Sequence, residues 1–117
     1  MLAMQVYQKR VDSFLVTKRV KNPSLTNSSP MKWPHPASYS ANPHTLAEAG
    51  FYFDPSWDAR DNVTCFMCGK ELNEWTKTDD PFDIHWDKCE ESCVWAAVRC
   101  GWKKDFDKDG RSVLHLT

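Results

Sequence analysis

At 117 residues, 41% hydrophobic and 13% aromatic, the chain has the length of one domain and too many Trp and Phe side chains for a disordered one. Its 15 basic and 16 acidic side chains give a net charge of −1, so no overall cationic field invites nucleic acid. No apolar h-region follows Met1 and no run approaches about eighteen apolar residues, which predicts neither a signal peptide nor a membrane span and points to a reducing compartment, cytosol or nucleus.

The charge is divided along the chain. Residues 1–40 carry Lys9, Arg10, Lys18, Arg19, Lys21 and Lys32 against Asp12 alone, whereas residues 61–95 carry nine acidic side chains against Lys70, Lys77 and Lys88. An acidic half favours a cationic partner, although on charge alone a solvated acidic face is the simpler reading. Within residues 1–14, Leu2, Val6, Val11 and Phe14 recur with a loose helical period, predicting a short N-terminal helix with one face on the core. Residues 15–32 lose that period and carry Pro23, Ser24, Asn27, Ser28, Ser29 and Pro30, predicting a surface loop or insertion. Trp33-Pro34-His35-Pro36 resumes as an extended, turn-prone segment, because each Pro fixes its own φ and restricts its predecessor.

Asn42 as cap, Pro43 at the first helical position and Gly50 just past the end bracket a helix. Phe51-Tyr52-Phe53 reads as a strand, Asp54-Pro55-Ser56 as its turn, Asp58 to Asn62 as a polar turn, and Val63 to Phe66 as a second strand. Glu71 to Trp75 makes a third short strand. Asp80 caps a helix that Pro81 opens and that carries His85, and a further helix begins near Ser92 and runs through Trp95 and Val98. The predicted class is α+β: a small, three-stranded antiparallel sheet surrounded by short helices.

Two residues separate Cys65 from Cys68, sixteen separate Cys68 from His85, and seven separate His85 from Cys93. Three thiolates and an imidazole are the donor set of a closed, tetrahedral structural zinc site. The short step lets a tight knuckle aim two sulfurs at one ion, with Gly69 suited to the left-handed position there. The second pair ties a remote segment to that knuckle. Cys89 rivals Cys93 as fourth ligand, since residues four apart share a helix face with His85. Such a site is worth about 10–16 kcal/mol of folding free energy where the apo site is not pre-formed, comparable with a domain's whole net stability. Five cysteines preclude complete internal disulfide pairing and leave Cys89 and Cys100 outside the ligand set.

Enzyme chemistry fits poorly. A catalytic zinc keeps a position open for water, and four protein ligands close this one. The His-x-Glu with Pro-Cys-x-x-Cys pattern of zinc deaminases is absent. A redox role for Cys65 and Cys68 needs a free, low-pKa thiol, which a bound metal removes. Asp105, Asp107, Asp109 and Gly110 are spaced like the opening of a calcium loop, but the twelfth position, where a bidentate Glu belongs, is Leu116. They read as a turn in a polar tail.

Together, Arg10-Val-Asp-Ser-Phe14, Trp33-Pro34, Leu46-Ala-Glu-Ala-Gly50-Phe51-Tyr52, Asp61-Asn-Val-Thr-Cys65-Phe66 and the zinc ligands resemble a BIR domain, the baculoviral inhibitor-of-apoptosis repeat, over Arg10 to Val98. The resemblance implies the small zinc-stabilised BIR fold, with a single domain over residues 1–100, a polar loop inserted at about 15–32 and a polar extension over 101–117. It favours Cys93 over Cys89 as the fourth ligand of one Zn2+. It gives Arg10 a structural part, bonding backbone carbonyls or the negatively charged zinc site. The insertion, the single unit and the lack of RING-like cysteines look most like the fungal survivin-type proteins of the chromosomal passenger complex.

BIR domains are binding modules, so the resemblance further implies a groove beside the third strand that takes a peptide by a free N-terminal Ala. Asp79 stands where the family holds the α-ammonium, Leu72 and Trp75 where it walls the small first side chain. The edge of the Glu71–Trp75 strand can pair with the peptide backbone. Survivin-like members read a phosphothreonine in the histone tail Ala-Arg-Thr-Lys, and a phosphate of charge about −1.5 to −2 needs cationic donors. Lys70 matches the family's lysine, and Lys88 lies three after His85, where survivin-like proteins carry a His. Glu71 and Glu74 would take the tail's Arg and Lys.

Asn73 replaces a second carboxylate of survivin, leaving the ammonium clamp one charge short. Lys88 is not the aromatic of caspase-regulating BIR domains, which suits a phosphate. The implied partners are the phosphorylated histone tail and the subunits of a chromosomal passenger complex, in the nucleus at the centromere and on the mitotic spindle, without direct nucleic-acid or membrane contact. The alternatives are a BIR that restrains caspases or binds their antagonist peptides, and a structural module with a vestigial groove.

Overall fold

The computed structural model of the chain describes residues 2–24 and 27–103; the Asp105–Gly110 motif lies outside the described residues. A 3-10 turn, Leu2–Gln5, leads into helix α1, Tyr7–Ser13. Val11 and Phe14 are buried as their period predicts, but Val6 is 53% exposed and the most deeply buried side chain of that helix is Arg10, at 1%. A charge so enclosed must be hydrogen-bonded throughout. Its Nε donates to the Ala47 carbonyl at 2.7 Å and its Nη1 to those of Met4 and Gln5 at 2.9 and 3.2 Å. The guanidinium also lies over the Phe66 ring, 4.5 Å from its centroid. This is the structural part expected of Arg10, played through carbonyls.

Residues 15–32 are not a plain loop. They contain an antiparallel hairpin, β1 (Lys18–Lys21) and β2 (Ser28–Met31), with Lys18 opposite Met31 and Lys21 opposite Ser28. Alternation is present, but its inward side is built from Lys18, Val20, Ser29 and Met31 rather than from an apolar row. Met31 anchors the hairpin in the core at 2% exposure, and Lys18 Nζ donates to the Phe53 carbonyl at 2.6 Å. An Asx turn, with the Asn22 side chain accepting from the Ser24 amide, leaves β1.

Helix α2, Pro43–Glu48, has the predicted cap. The Asn42 side chain accepts from the amides of His44 and Thr45, and the Thr45 hydroxyl accepts from the Asn42 amide, forming a capping box. Gly50 ends it at φ 107°, and a Cβ there would lie 2.9 Å from Trp95 Cδ1. Only glycine meets both demands.

Strands β3 (Phe51–Phe53), β4 (Val63–Cys65) and β5 (Glu71–Leu72) form an antiparallel sheet in that order. Phe51 faces Cys65 and Val63 faces Leu72 across it. The third strand is shorter than Glu71–Trp75. The Asp61 carboxylate takes the amides of Glu74 and Trp75, each at 2.9 Å, and Glu74 sits at φ 60°, which turns the chain out of the ladder. Helix α3, Pro81–Cys89, is capped by Asp80 and buries Phe82, His85 and Cys89. The last helix, α4 over residues 94–103, contains a π-helical turn at Ala96–Cys100 and continues past position 100. It ties back to α2 through Arg99 with Glu48 and through Trp95 Nε1 to the Glu48 carbonyl.

Phe14, Leu46, Phe51, Phe53, Val63 and Phe82 fill the space between sheet and helices. No helix among the described residues is long and apolar enough to cross a membrane.

Candidate metal centre and adjoining strand edge

Cys65 ends β4, Cys68 follows in its turn, His85 lies on α3, and Cys93 precedes α4. The fold brings one ligand atom from each to within 4.8 Å of the others, and Cys89 stands outside this group. Cys65 Sγ is 3.9 Å from Cys93 Sγ, and Cys68 Sγ is 3.8 Å from His85 Nε2. Donors about 2.3 Å (S) and 2.0–2.1 Å (N) from one tetrahedral zinc are separated by roughly 3.5–3.8 Å, so the spacing suits an ion. It is far beyond the ~2.05 Å of a disulfide, and all five thiols are free.

The surroundings prepare these donors. The amides of Met67 and Cys68 point at Cys65 Sγ, at 3.3 and 3.5 Å, and Gly69 takes the left-handed φ of 78°. Burial pushes the Cys65 thiol up to about 12. Burial also acts to raise Cys68, but hydrogen bonds from the Lys70 amide and with the neighbouring thiols outweigh it and lower that thiol. His85 Nδ1 lies 2.7 Å from the Ala49 carbonyl, so it carries the proton and leaves the Nε2 lone pair facing Cys68. Burial keeps this imidazole below its usual range and hence neutral, the form that ligates. The Cys3His cluster could thus hold a metal ion.

The residues expected to line a peptide groove lie next to this centre. Glu71 and Leu72 are on β5, the outer strand of the sheet. Exposed Asn73 donates to Asn62 Oδ1 at 3.2 Å, and Asn62 in turn donates to Glu71 Oε1 at 3.3 Å. Trp75 is 5% exposed and meets Phe51 edge-on, so nearly all of its surface belongs to the core and only a rim is left for a ligand. Asp79 is half-buried; its Oδ2 accepts from the Thr76 amide at 2.9 Å, closing a turn. Lys88 is exposed in the last turn of α3. Lys70 is exposed and follows directly on the Cys65–Cys68 knuckle; its charge acts to lower the Cys89 thiol, which burial raises.

Two residues here were given no role from sequence. Asp61 and Asn62 read as a polar turn and open one of the motifs that resemble a BIR domain, and in the structure both are buried and organise the loop after β5. Asp61 also accepts from, or pairs with, His35 Nε2 at 2.8 Å. The one available signal was two adjacent polar side chains opening a strand, and burial of both is what demands their hydrogen bonds.

Comparison with known proteins agrees with this architecture. The chain is 42% identical over 67 residues to baculoviral IAP repeat-containing protein 5.2 of Xenopus tropicalis, covering 57% of this chain and 42% of that one. It is 35% identical over 97 residues to chromosomal passenger complex protein bir1 of Schizosaccharomyces pombe, covering 79% of this chain and 8% of that one. With baculoviral IAP repeat-containing protein 5 of Cavia porcellus it shares 36% over 76 residues, 65% of this chain and 50% of that one. The chain thus spans half or less of the length of these relatives. The family described as "BIR: Inhibitor of Apoptosis domain" matches residues 10–97, and the chain belongs to that family.

Proposed function

We propose that the chain is a non-enzymatic peptide-binding module, held together by one structural Zn2+ on Cys65, Cys68, His85 and Cys93. In this reading it recognises a free N-terminal Ala, that of the threonine-phosphorylated histone tail Ala-Arg-Thr-Lys, and so helps target a chromosomal passenger complex to centromeres. The observation that carries it is the outer edge of β5. Among the described residues no strand pairs beyond that edge, and the loop leaving it is fixed by Asp61 and by the Asp79 turn. An extended peptide adding to such an edge gains main-chain hydrogen bonds. Its α-ammonium can then reach the Asp79 oxygen that Thr76 does not use. Lys70, just after the Cys65–Cys68 knuckle, and Lys88, in the last turn of α3, are the cations for the phosphate. Similarity to a chromosomal passenger complex protein supports the assembly and the nuclear, centromeric and spindle location.

Calorimetric titration of the zinc-loaded protein with Ala-Arg-Thr-Lys peptide tests this. Binding should tighten with phosphate on the threonine, vanish on N-terminal acetylation, and weaken in Lys70→Ala, Lys88→Ala and Asp79→Asn. Indifference to both phosphate and acetylation would remove the histone reading and leave the metal-stabilised fold.

A further inference from the structure

Ser29-Pro30 is the only step in the whole sequence where a Ser or Thr precedes a Pro, and Lys32 follows three positions after Ser29. This Ser-Pro-x-Lys order lies in the inserted hairpin, a segment the peptide-binding reading leaves without a part. A residue before Pro is confined to extended backbone, and Ser29 sits in strand β2. That is the conformation in which a protein kinase draws an acceptor segment across its cleft. The hairpin forms its own two-stranded sheet, and among the described residues nothing pairs with the outer edge of β2. Two-stranded hairpins are marginal by themselves, so local opening of this one costs far less than unfolding the core. Pro30 and Lys32 are exposed and Ser29 is half-buried; Met31 is the one side chain of the motif that must leave the core.

We propose that Ser29 is a phosphorylation site for a proline-directed serine/threonine kinase that prefers a cation three residues after the acceptor. The Ser29 hydroxyl attacks the γ-phosphorus of ATP, the bond to the β–γ bridging oxygen breaks, ADP leaves, and the hydroxyl proton passes to the kinase's base. The register gives the modification a consequence. Ser29 faces Val20 and is diagonal, on the same side of the sheet, to Lys18. Lys18 is the side chain that fastens the hairpin to the Phe53 carbonyl. A phosphate of charge about −1.5 to −2 at Ser29 competes for that ammonium and loosens the hairpin from β3, which makes the insertion a charge-operated switch.

The folded, zinc-loaded protein would be incubated with Mg-ATP and a recombinant cyclin-dependent kinase with its cyclin, and the site read by mass spectrometry. A peptide of residues 27–36 is the reference substrate. One phosphate on Ser29 is expected, with loss in Ser29→Ala and in Pro30→Ala, and a several-fold slower rate in Lys32→Ala. Hydrogen exchange of the Lys18–Lys21 amides should quicken in the phosphorylated protein. Phosphate on the peptide but none on the folded protein, incorporation undiminished in Ser29→Ala, or no reaction of either substrate would each overturn the assignment. Unchanged exchange at Lys18–Lys21 would overturn the switch.

Discussion

Replacing Cys89 and Cys93 separately by Ser separates metal ligation from packing, because packing alone treats the two alike. Their side chains are 4% and 3% exposed. As simple buried thiols, each would lose roughly 1–3 kcal/mol on gaining a hydroxyl without a ready partner. Ligation treats them differently. Cys93 Sγ stands 3.9 Å from Cys65 Sγ, inside the four-atom group, and Cys89 lies outside it. A structural zinc is worth about 10–16 kcal/mol, against a net domain stability of about 5–15 kcal/mol. Losing that binding therefore removes an amount comparable with the whole net stability.

The assay is zinc per chain by atomic absorption, paired with thermal melting with and without chelator. Cys93→Ser should hold well under one zinc and melt like chelator-treated wild type. Cys89→Ser should keep one zinc and melt roughly 5–15 °C lower, as 1–3 kcal/mol implies for a chain this size. Full zinc in Cys93→Ser together with its loss in Cys89→Ser would refute the ligand assignment. Equal, modest destabilisation of both with no zinc in either the variants or wild type would refute the metal itself.

Three further outcomes follow from other parts of the fold. Gly50→Ala combines a φ of 107° with a Cβ 2.9 Å from Trp95, and should cost about 2–4 kcal/mol in a urea titration; a neutral result would mean that Trp95 has room to move. Arg10→Lys keeps the charge but not the fork that reaches three carbonyls, and should cost about 2–4 kcal/mol by the same measurement. Burial acts to raise the Asp61 carboxyl, but His35 and the amides of Glu74 and Trp75 outweigh it and hold it below its usual range. Its contribution is thus present above the unfolded pKa and is lost as pH falls through the lower folded one. Asp61→Asn should be destabilised by about 2–4 kcal/mol at neutral pH, and the difference from wild type should shrink below about pH 4; a gap constant down to pH 2 would show that the charge is not what holds the loop.

Local rules carry the legible part of this fold. The Asn42 box, Gly50, the Asp80 cap and the 65–68 knuckle each lie within a few residues, and each has one physical solution that the residue types announce. The donor set is legible for the same reason, since thiolate and imidazole chemistry limits what such a group can do. The illegible part is long-range and polar. Arg10 is buried because carbonyls of the N-terminal turn and of α2 converge on it, a part that the family resemblance announced and the residue types around position 10 did not. The β1–β2 hairpin pairs strands whose inward side is held by a lysine stem and one Met, so an apolar alternation never appears. Asp61 ends β5 by capturing amides thirteen and fourteen residues on. A third strand drawn through Trp75 was thus the natural reading of Leu72 and Trp75, and it failed because a distant carboxylate outbid the sheet for the same N–H groups. The groove proposed at the β5 edge would rest on the Cys65–Cys68 knuckle before that strand and on the Asp61 loop after it, so its shape would depend on both a local and a non-local interaction. Chelation should therefore melt the fold, whereas Asp61→Asn should leave zinc in place and disturb peptide affinity first.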